Sequence, residues 1–325
     1  MASNFDSIPL IDVSPLLSNP ETINLDDPNV LQVVKKLHEA CQNVGFFYVK
    51  GHGIPDTLVK GVRDAARNFF LLPHEEKMKI QLSASTGYRG YTKLLDNKTQ
   101  GKADLHESID AYTEFAPGTY GPMGEHFEGP NLWPEYPQGF KEMMDDYGNA
   151  LEKLSKMIMR GVVLALRGSP NLFEGDRAGK SFWSMRLIGC PGSGSAAHPS
   201  AMGIGAHRDY GLLILVNQDD DITALEVLNR RDEWIPAVPV PGAFLCNIGD
   251  MLNIWSNGMY TATTHRVINS SSKYRVSIPF FYEPNFQAIV EPLEFYKQKT
   301  GGVSRFQKVV YAEYLLNKIR NNFVG

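Results

Sequence analysis

The chain has 325 residues, 43% of them hydrophobic, which is ample for one large domain or two small ones, and a formal net charge of −4. The slight acidity argues against binding to nucleic acid or acidic lipid. The sequence contains no apolar run of about 18 residues, so we expect neither a membrane span nor a signal peptide. The three scattered cysteines, Cys41, Cys190 and Cys246, argue against a disulfide framework and favour a reducing, cytoplasmic location.

The first 125 residues are predicted to form an α/β cap region. A short strand at 8–13 is followed by helices over 30–43 and 56–72, with an apolar strand at 46–49 between them. The later part of this region has little helix signal and is rich in Gly, Tyr and Thr, which is typical of substrate-facing loops and strands.

One long helix and a series of short strands are predicted for the rest of the chain. Apolar positions at helical spacing indicate a helix over 138–166, within a linking region that we assign to 126–180. The strands are predicted at 183–188, 205–217, 223–228, 233–238, 243–248, 264–268 and 275–282. They indicate a jelly-roll core, a double-stranded β-helix, over 181–285. A last helix over 304–321 would pack back on this core from the C-terminal segment 286–325.

A metal site is indicated by His207 and Asp209, two residues apart in Gly-Ala-His-Arg-Asp-Tyr. If 206–210 is extended, both side chains point to one face and can share an ion with His265 from a neighbouring strand. Two imidazoles and one carboxylate leave three coordination positions of iron open. The tripeptide alone is weak evidence, because a half-buried histidine beside a surface aspartate is common. A kinase catalytic loop would need Asn where Ile214 stands.

Several motifs around these residues recur in a fixed order in one known family. They are Gly45-Phe-Phe-Tyr-Val-Lys-Gly-His-Gly-Ile, Leu72-Pro-His-Glu-Glu-Lys, Gly129-Pro-Asn-Leu-Trp-Pro, Met185-Arg-Leu, Asn247-Ile-Gly-Asp and Arg275-Val-Ser277. Along nearly its whole length the chain resembles the plant 2-oxoglutarate- and iron(II)-dependent dioxygenases. The resemblance implies a hydroxylase that uses Fe(II), 2-oxoglutarate and O2, with ascorbate as reductant, and releases succinate and CO2. We expect a monomer that acts on a small molecule.

The resemblance also implies roles for individual residues. His207, Asp209 and His265 would hold the iron. Arg275 would bind the distal carboxylate of 2-oxoglutarate, because the planar guanidinium offers two parallel donors, and the hydroxyl of Ser277 would add a contact.

One departure from the family lies directly after Met-Arg-Leu. Many relatives have Asn-Tyr-Tyr-Pro there, the second Tyr contacting the cosubstrate, whereas this chain has Ile-Gly-Cys-Pro at 188–191. We expect Arg186 to compensate for the missing hydroxyl, since strand alternation puts it on the same face as Cys190, itself expected to be a small buried hydrophobe. Phe280 or Phe281 is expected to help exclude water, while at least one of the two packs in the core.

The expected substrate class follows from a narrower similarity. The runs that begin at Arg186 and Val216, and the Tyr210 beside the metal ligands, are most similar to the homoarginine 6-hydroxylase branch. That similarity implies hydroxylation of the carbon that carries the guanidino group, followed by separation into guanidine and a semialdehyde. We expect Glu107, with Asp110, to hold the guanidinium, and Arg186 or Tyr210 to meet the α-carboxylate, because an unpaired buried charge is costly.

Alternatives stay open at this point. Glu107 and Asp110 can each be solvated acids on an edge strand. The substrate can be an uncharged specialised metabolite or hormone of flavonoid, gibberellin or alkaloid type. The chain can be a non-catalytic jelly-roll binding protein, although such a protein does not need Arg275 and Ser277. It can also be a zinc hydrolase with the same three ligands and a water, but no general base is evident beside them.

Overall fold

A computed structural model of the protein describes residues 4–18, 23–193 and 202–323, with side chains described to 319. The described residues form two large β-sheets, two small two-stranded sheets and several helices. The helices are α1 (Ser14–Leu17), α2 (Pro28–Asn43), α3 (Asp56–Phe70), α4 (His74–Met78), α5 (Phe140–Leu164), α6 (Asp250–Trp255), α7 (Glu294–Lys299) and α8 (Tyr311–Phe323), with 3-10 helices at Ala84–Thr86 and Gly121–His126. The strands are β1 (Leu10–Asp12), β2 (Phe46–Lys50), β3 (Gly90–Thr92), β4 (Lys98–Thr99), β5 (Lys102–Ala103), β6 (Glu107–Tyr112), β7 (Trp183–Cys190), β8 (Met202–His207), β9 (Leu213–Gln218), β10 (Leu225–Leu228), β11 (Trp234–Pro236), β12 (Phe244–Ile248), β13 (His265–Ile268), β14 (Arg275–Tyr282), β15 (Ile289–Val290) and β16 (Val309–Val310).

The two large sheets form the jelly-roll core, which confirms the predicted fold class. The larger has eight strands in the order β1-β2-β12-β9-β14-β7-β6-β3, and the smaller has four in the order β11-β10-β13-β8. Strands β6, β9 and β12 are buried along their whole length. Both faces of these strands are covered, so their apolar residues do not alternate with polar ones.

The helical layer covers the outer face of the larger sheet. Helix α2 begins at Pro28, where the side chain of Asp27 accepts the backbone N–H of Asn29, and it buries an apolar stripe that includes Val34 and Leu37. Helices α2 and α3 both pack on α5, which in turn contacts β9 and β14. The long helix predicted over 138–166 is therefore the support behind the strands of the core.

Two predicted elements differ from the structure. The strand predicted over 205–217 is two strands, β8 and β9, because the backbone carbonyls of Asp209 and Tyr210 turn away to accept N–H groups of Asp250 and Met251 in α6. The last helix begins only at Tyr311, since the residues just before it pair with β15 as β16. The region boundaries at 125, 180 and 285 stay a prediction. No helix within the described ranges combines the length and apolarity needed to cross a bilayer.

Candidate active site

Three side chains that can bind a metal meet at one edge of the smaller sheet. His207 ends β8, and His265 begins β13, a neighbouring strand as predicted, directly opposite it in the antiparallel register. Asp209 lies in the turn after β8, so the predicted extension of that strand to residue 210 is wrong. The Nε2 atoms of His207 and His265 lie 3.7 and 3.6 Å from the two carboxylate oxygens of Asp209. This is the one such His/Cys/Asp/Glu group found among the described residues, with its ligand atoms within 4.8 Å of one another.

Hydrogen bonds fix the protonation of both imidazoles. In each, Nδ1 lies against the backbone carbonyl oxygen of the residue two positions earlier, at 2.8 Å for His207 and 3.2 Å for His265. A carbonyl only accepts, so Nδ1 carries the proton of the neutral ring and the lone pair of Nε2 is free for a metal. Burial lowers the pKa of His265 to about 4, which keeps it neutral. The Asn247 side chain donates to Asp209 Oδ2 at 2.7 Å. The donor set fits a ferrous ion with open positions.

Arg275 lies buried at the start of β14 with unused donor capacity. It is 1% exposed and donates to Ser277 Oγ at 3.0 Å and to Gln218 Oε1 at 2.8 Å. Among the described residues, its Nε has no hydrogen-bond partner and no carboxylate forms a salt bridge with it. Burial lowers the pKa of this guanidinium. A buried cation with a free N–H is the complement of an anion such as a carboxylate.

A cavity of about 580 Å³ connects Arg275 to the metal-binding residues. Every second residue of β14 faces it, in the order Arg275, Ser277, Pro279 and Phe281, and Glu283 continues the row just beyond the end of the strand. The alternation is the ordinary period of a strand. The row therefore leads from the buried guanidinium at one end to a buried carboxyl group at the other.

The neighbouring strands add polar groups to the same cavity. Asp110 of β6 and Arg186 of β7 lie opposite each other in the antiparallel register and both line the cavity wall. Arg186 Nε donates to Asp110 Oδ1 at 2.6 Å. Tyr210 also lines the cavity, with the Lys318 ammonium of α8 5.1 Å from its ring centroid. The structure thus brings Asp110, Arg186, Tyr210 and Phe281 together with the metal-binding residues.

Arg186 does not take the place of the missing tyrosine hydroxyl. Cys190 pairs with Arg275 across the sheet, whereas Arg186 stands four residues earlier on β7, about 13 Å away along the strand. Cys190 is buried, as predicted, and burial raises the pKa of its thiol to about 11. At Gly189 the Tyr274 hydroxyl leaves no room for a side chain. Arg186 lines the cavity beside Asp110 instead.

The predicted joint role of Glu107 and Asp110 is wrong. Residues three apart on a strand point to opposite faces, and Glu107 points away from the cavity. Its carboxylate accepts hydrogen bonds from Lys77 Nζ at 2.6 Å, from the Tyr91 hydroxyl at 2.6 Å and from the Tyr274 hydroxyl at 2.7 Å. Strand β6 pairs on both sides, with β3 and β7, so the alternative of solvated acids on an edge strand is wrong as well.

We expect the substitution Glu107→Gln to lower the free energy of unfolding by about 3 kcal/mol, because it leaves the Lys77 ammonium buried without a counter-ion. Urea denaturation of the variant measures this loss. The double variant with Lys77→Met should recover part of it, since no buried charge is then left over. An unfolding free energy equal to that of the wild type would contradict a structural role for this pair.

Two cavity residues were missed from the sequence. His106 donates from Nδ1 to the carbonyl of Gly203 at 2.9 Å, while its Nε2 has no hydrogen-bond partner among the described residues. Glu283 is 3% exposed, and its Oε2 is likewise without a partner there. Burial, together with the nearby charge of Asp209, raises the pKa of Glu283 to about 8. Counting by twos from Arg275 past the predicted end of the strand would have found Glu283.

The raised pKa of Glu283 predicts a pH-dependent stability for the metal-free protein. The folded state holds the proton more tightly than the unfolded chain, so stability is full below the unfolded pKa of 4.5 and falls as the pH rises towards about 8. We expect Glu283→Gln to remove this loss, which amounts to a few kcal/mol. Thermal unfolding of both proteins from pH 5 to 8 measures it, with the pair at pH 5 as the internal reference. Parallel profiles would contradict the burial of an ionisable carboxyl group here.

Comparisons with family models match both halves of the chain. The model described as the N-terminal region of non-haem dioxygenases in morphine synthesis matches residues 8–136. The model of the 2OG-Fe(II) oxygenase superfamily matches residues 189–284, a range that contains the metal-binding residues and Arg275.

Individual proteins are similar over the full length. A homoarginine-6-hydroxylase of Glycine max is 54% identical over 100% of this chain and 99% of its own, and one of Oryza sativa subsp. japonica is 54% identical over 100% of both chains. The crystal structure of a full-length Neurospora crassa protein in complex with alpha-KG and thymine superposes with a TM-score of 0.82 at 26% identity, covering 97% of this chain and 96% of that one.

Proposed function

This chain belongs to the 2OG-Fe(II) oxygenase superfamily, and we propose that it hydroxylates carbon 6 of homoarginine, or the equivalent carbon of a similar guanidino amino acid. The observation that supports this choice of substrate is the full-length similarity to homoarginine-6-hydroxylases of several plants. The geometry supports the reaction class, because a His-Asp-His metal site and a buried Arg share one cavity.

In the proposed reaction, the cosubstrate 2-oxoglutarate is oxidised together with the substrate. His207, Asp209 and His265 would hold iron, which would supply the activation of O2. In the overall reaction 2-oxoglutarate is oxidised to succinate and CO2, one oxygen atom entering succinate and the other the substrate. The hydroxylated carbon then carries both the new hydroxyl and the guanidino nitrogen. Its C–N bond breaks as the hydroxyl proton passes to the leaving nitrogen, which gives guanidine and a semialdehyde.

Arg275 positions the cosubstrate in this proposal. Arg275 and Ser277 both line the cavity, and the guanidinium and the hydroxyl bind the distal carboxylate of 2-oxoglutarate. Gln218 holds the other side of the guanidinium in place through a 2.8 Å hydrogen bond. The keto-acid end of the molecule is thereby directed along the row of β14 towards the metal-binding residues.

The opposite part of the cavity receives the amino acid. Arg186, oriented by Asp110, binds the α-carboxylate, with Tyr210 beside it at the cavity wall. Phe281 lies half-buried in the row of β14 between the two ends and excludes water from the reacting carbon.

We also propose that the enzyme works as a monomer in the cytoplasm. All the residues just assigned come from a single chain, so no second copy is needed to complete the cavity. The three cysteines are buried and unpaired, which suits a reducing compartment. Light scattering on the purified enzyme at working concentration tests the monomer, and a dimer mass would contradict it.

The decisive experiment is turnover by enzyme reconstituted anaerobically with iron(II) and then given 2-oxoglutarate, ascorbate and oxygen. Succinate and guanidine are measured with homoarginine, with arginine and with a neutral flavonoid. We expect guanidine to be released in step with succinate when homoarginine is present. Succinate that rises only with the flavonoid would retain the oxygenase and refute the guanidino substrate.

A further inference from the structure

One of the acids that line the cavity has a buried carboxylate oxygen without a hydrogen-bond partner among the described residues. Four of the lining acids, Asp104, Asp110, Asp209 and Asp250, each accept a side-chain hydrogen bond at 2.6–2.9 Å. The fifth is Glu283, whose Oε2 has no partner within the part of the chain that the structure describes. Buried polar atoms are normally satisfied, so an orphan on a cavity wall points to a ligand.

The surroundings of Glu283 place this oxygen beside the metal-binding turn. The carboxylate fills the space that a side chain at Gly211 would take, two residues after the metal-binding Asp209. Tyr311, in α8, lies beside the same carboxyl group. No Lys or Arg of the described residues forms a salt bridge with Glu283, although burial favours pairing such a group with a cation.

The polarity of the unsatisfied atoms on the wall differs between the two ends of the β14 row. At one end Arg275 leaves a donor free, and at the other Glu283 leaves an acceptor free. A carboxylate fits the first and an N–H-rich cation fits the second. The raised pKa of Glu283 agrees, since the carboxyl group has no cation to stabilise its charged form until a ligand brings one.

We propose that Glu283 is the specificity-determining residue that binds the guanidinium of the substrate through Oε2. The inference rests on the function proposed above and deepens it. Glu283 takes the role first expected of Glu107, which faces the other side of the sheet. Its place beside the turn of Asp209 suits a substrate whose reacting carbon adjoins the guanidino nitrogen, because binding the cation brings that carbon towards the metal-binding residues.

This assignment predicts which analogue the enzyme rejects. Homocitrulline has the same shape as homoarginine, but a neutral carbamoyl oxygen replaces one of the guanidino nitrogens. It removes the charge and puts an acceptor where homoarginine has a donor, although its other nitrogens keep their N–H groups. A buried carboxylate discriminates against an analogue that lacks the cation, because its own charge is then left without a counter-ion.

The test compares wild type, Glu283→Gln and Glu107→Gln with homoarginine and homocitrulline. Calorimetric binding to the anaerobic enzyme loaded with iron(II) and 2-oxoglutarate is one readout, and the ratio of kcat/KM for the two compounds is the other. We expect wild type to prefer homoarginine by at least about 100-fold, and Glu283→Gln to bring the two compounds within about 10-fold of each other. Glu107→Gln, the matched control outside the cavity, should keep the wild-type ratio. Ratios do not depend on the folded fraction of a variant.

The outcomes separate the two claims. If wild type cleaves homoarginine and Glu283→Gln keeps its preference, the role of Glu283 is overturned and the proposed function stands. If wild type neither binds nor cleaves homoarginine, both are overturned. Should Glu283→Gln not fold, Glu283→Asp retains the charge on a shorter side chain. It should weaken homoarginine binding while keeping the preference over homocitrulline, and unchanged homoarginine binding would refute the contact.

Discussion

Enzyme with Asp209→Ala should form no succinate above background, with or without an amino-acid substrate. The substitution removes the one anionic ligand of the site and leaves two neutral imidazoles, which hold a ferrous ion poorly. Succinate formation and iron content after desalting measure the effect. The melting temperature of the metal-free variant should stay within a few degrees of wild type, because Asp209 forms no salt bridge with Lys or Arg among the described residues.

A second variant should show a smaller loss of iron affinity at the same site. Asn247→Ala keeps all three ligands and removes only the hydrogen bond to Asp209 Oδ2. Loss of such an orienting partner typically lowers metal affinity by about 10–100-fold, so activity should return when iron is added in excess. Full activity of Asp209→Ala at ordinary iron concentration would refute the metal site. A loss in Asn247→Ala that excess iron cannot restore would show that Asn247 has another role.

The second large effect is expected at Arg275. Arg275→Ala should raise the KM for 2-oxoglutarate by about 100-fold or more, since it removes a buried charge-assisted contact. Iron affinity should not change, because Arg275 contacts none of the metal-binding side chains. Steady-state kinetics in 2-oxoglutarate and iron titration of the same preparation separate the two quantities.

Arg275→Lys is the control for geometry. It retains the positive charge but loses the planar pair of donors, so its KM should fall between those of wild type and Arg275→Ala. An unchanged 2-oxoglutarate requirement in Arg275→Ala would place the distal carboxylate elsewhere. The cavity wall also carries the cations Lys98, Arg186, Arg208 and Lys318, whose substitution would then be informative.

The features that follow from strand period could be predicted from the sequence. His265 was expected from a neighbouring strand and lies opposite His207. Arg275 and Ser277 were expected on one face and share a hydrogen bond there. In these cases the side-chain direction depends only on the alternation within one strand or on the pairing of two adjacent strands. The short-range sequence pattern is enough to indicate both.

The errors arise where distant contacts decide the backbone. The strand at His207 stops because α6, more than forty residues later, binds the turn that carries Asp209. The face of Glu107 could not be predicted, since β6 is buried on both sides and its residues show no polar alternation. Glu283 lies past the end of its strand, and Tyr311 of α8 lies beside it only because that helix docks there. Such docking leaves no local signal in the chain.

The opposed charges at the two ends of the β14 row have a consequence for inhibitor chemistry. The α-carbons of Arg275 and Glu283 are eight residues apart, about 26 Å along an extended strand, and both side chains reach inward. A linear compound with a carboxylate at one end, a metal-chelating group in the middle and a guanidinium at the other would occupy both subsites at once. Joining the two ligands in one molecule spares the entropy of binding them separately. Compounds with two like-charged ends would gain no affinity from the second site. The charges of the two end groups alone should therefore distinguish selective inhibitors from general 2-oxoglutarate mimics.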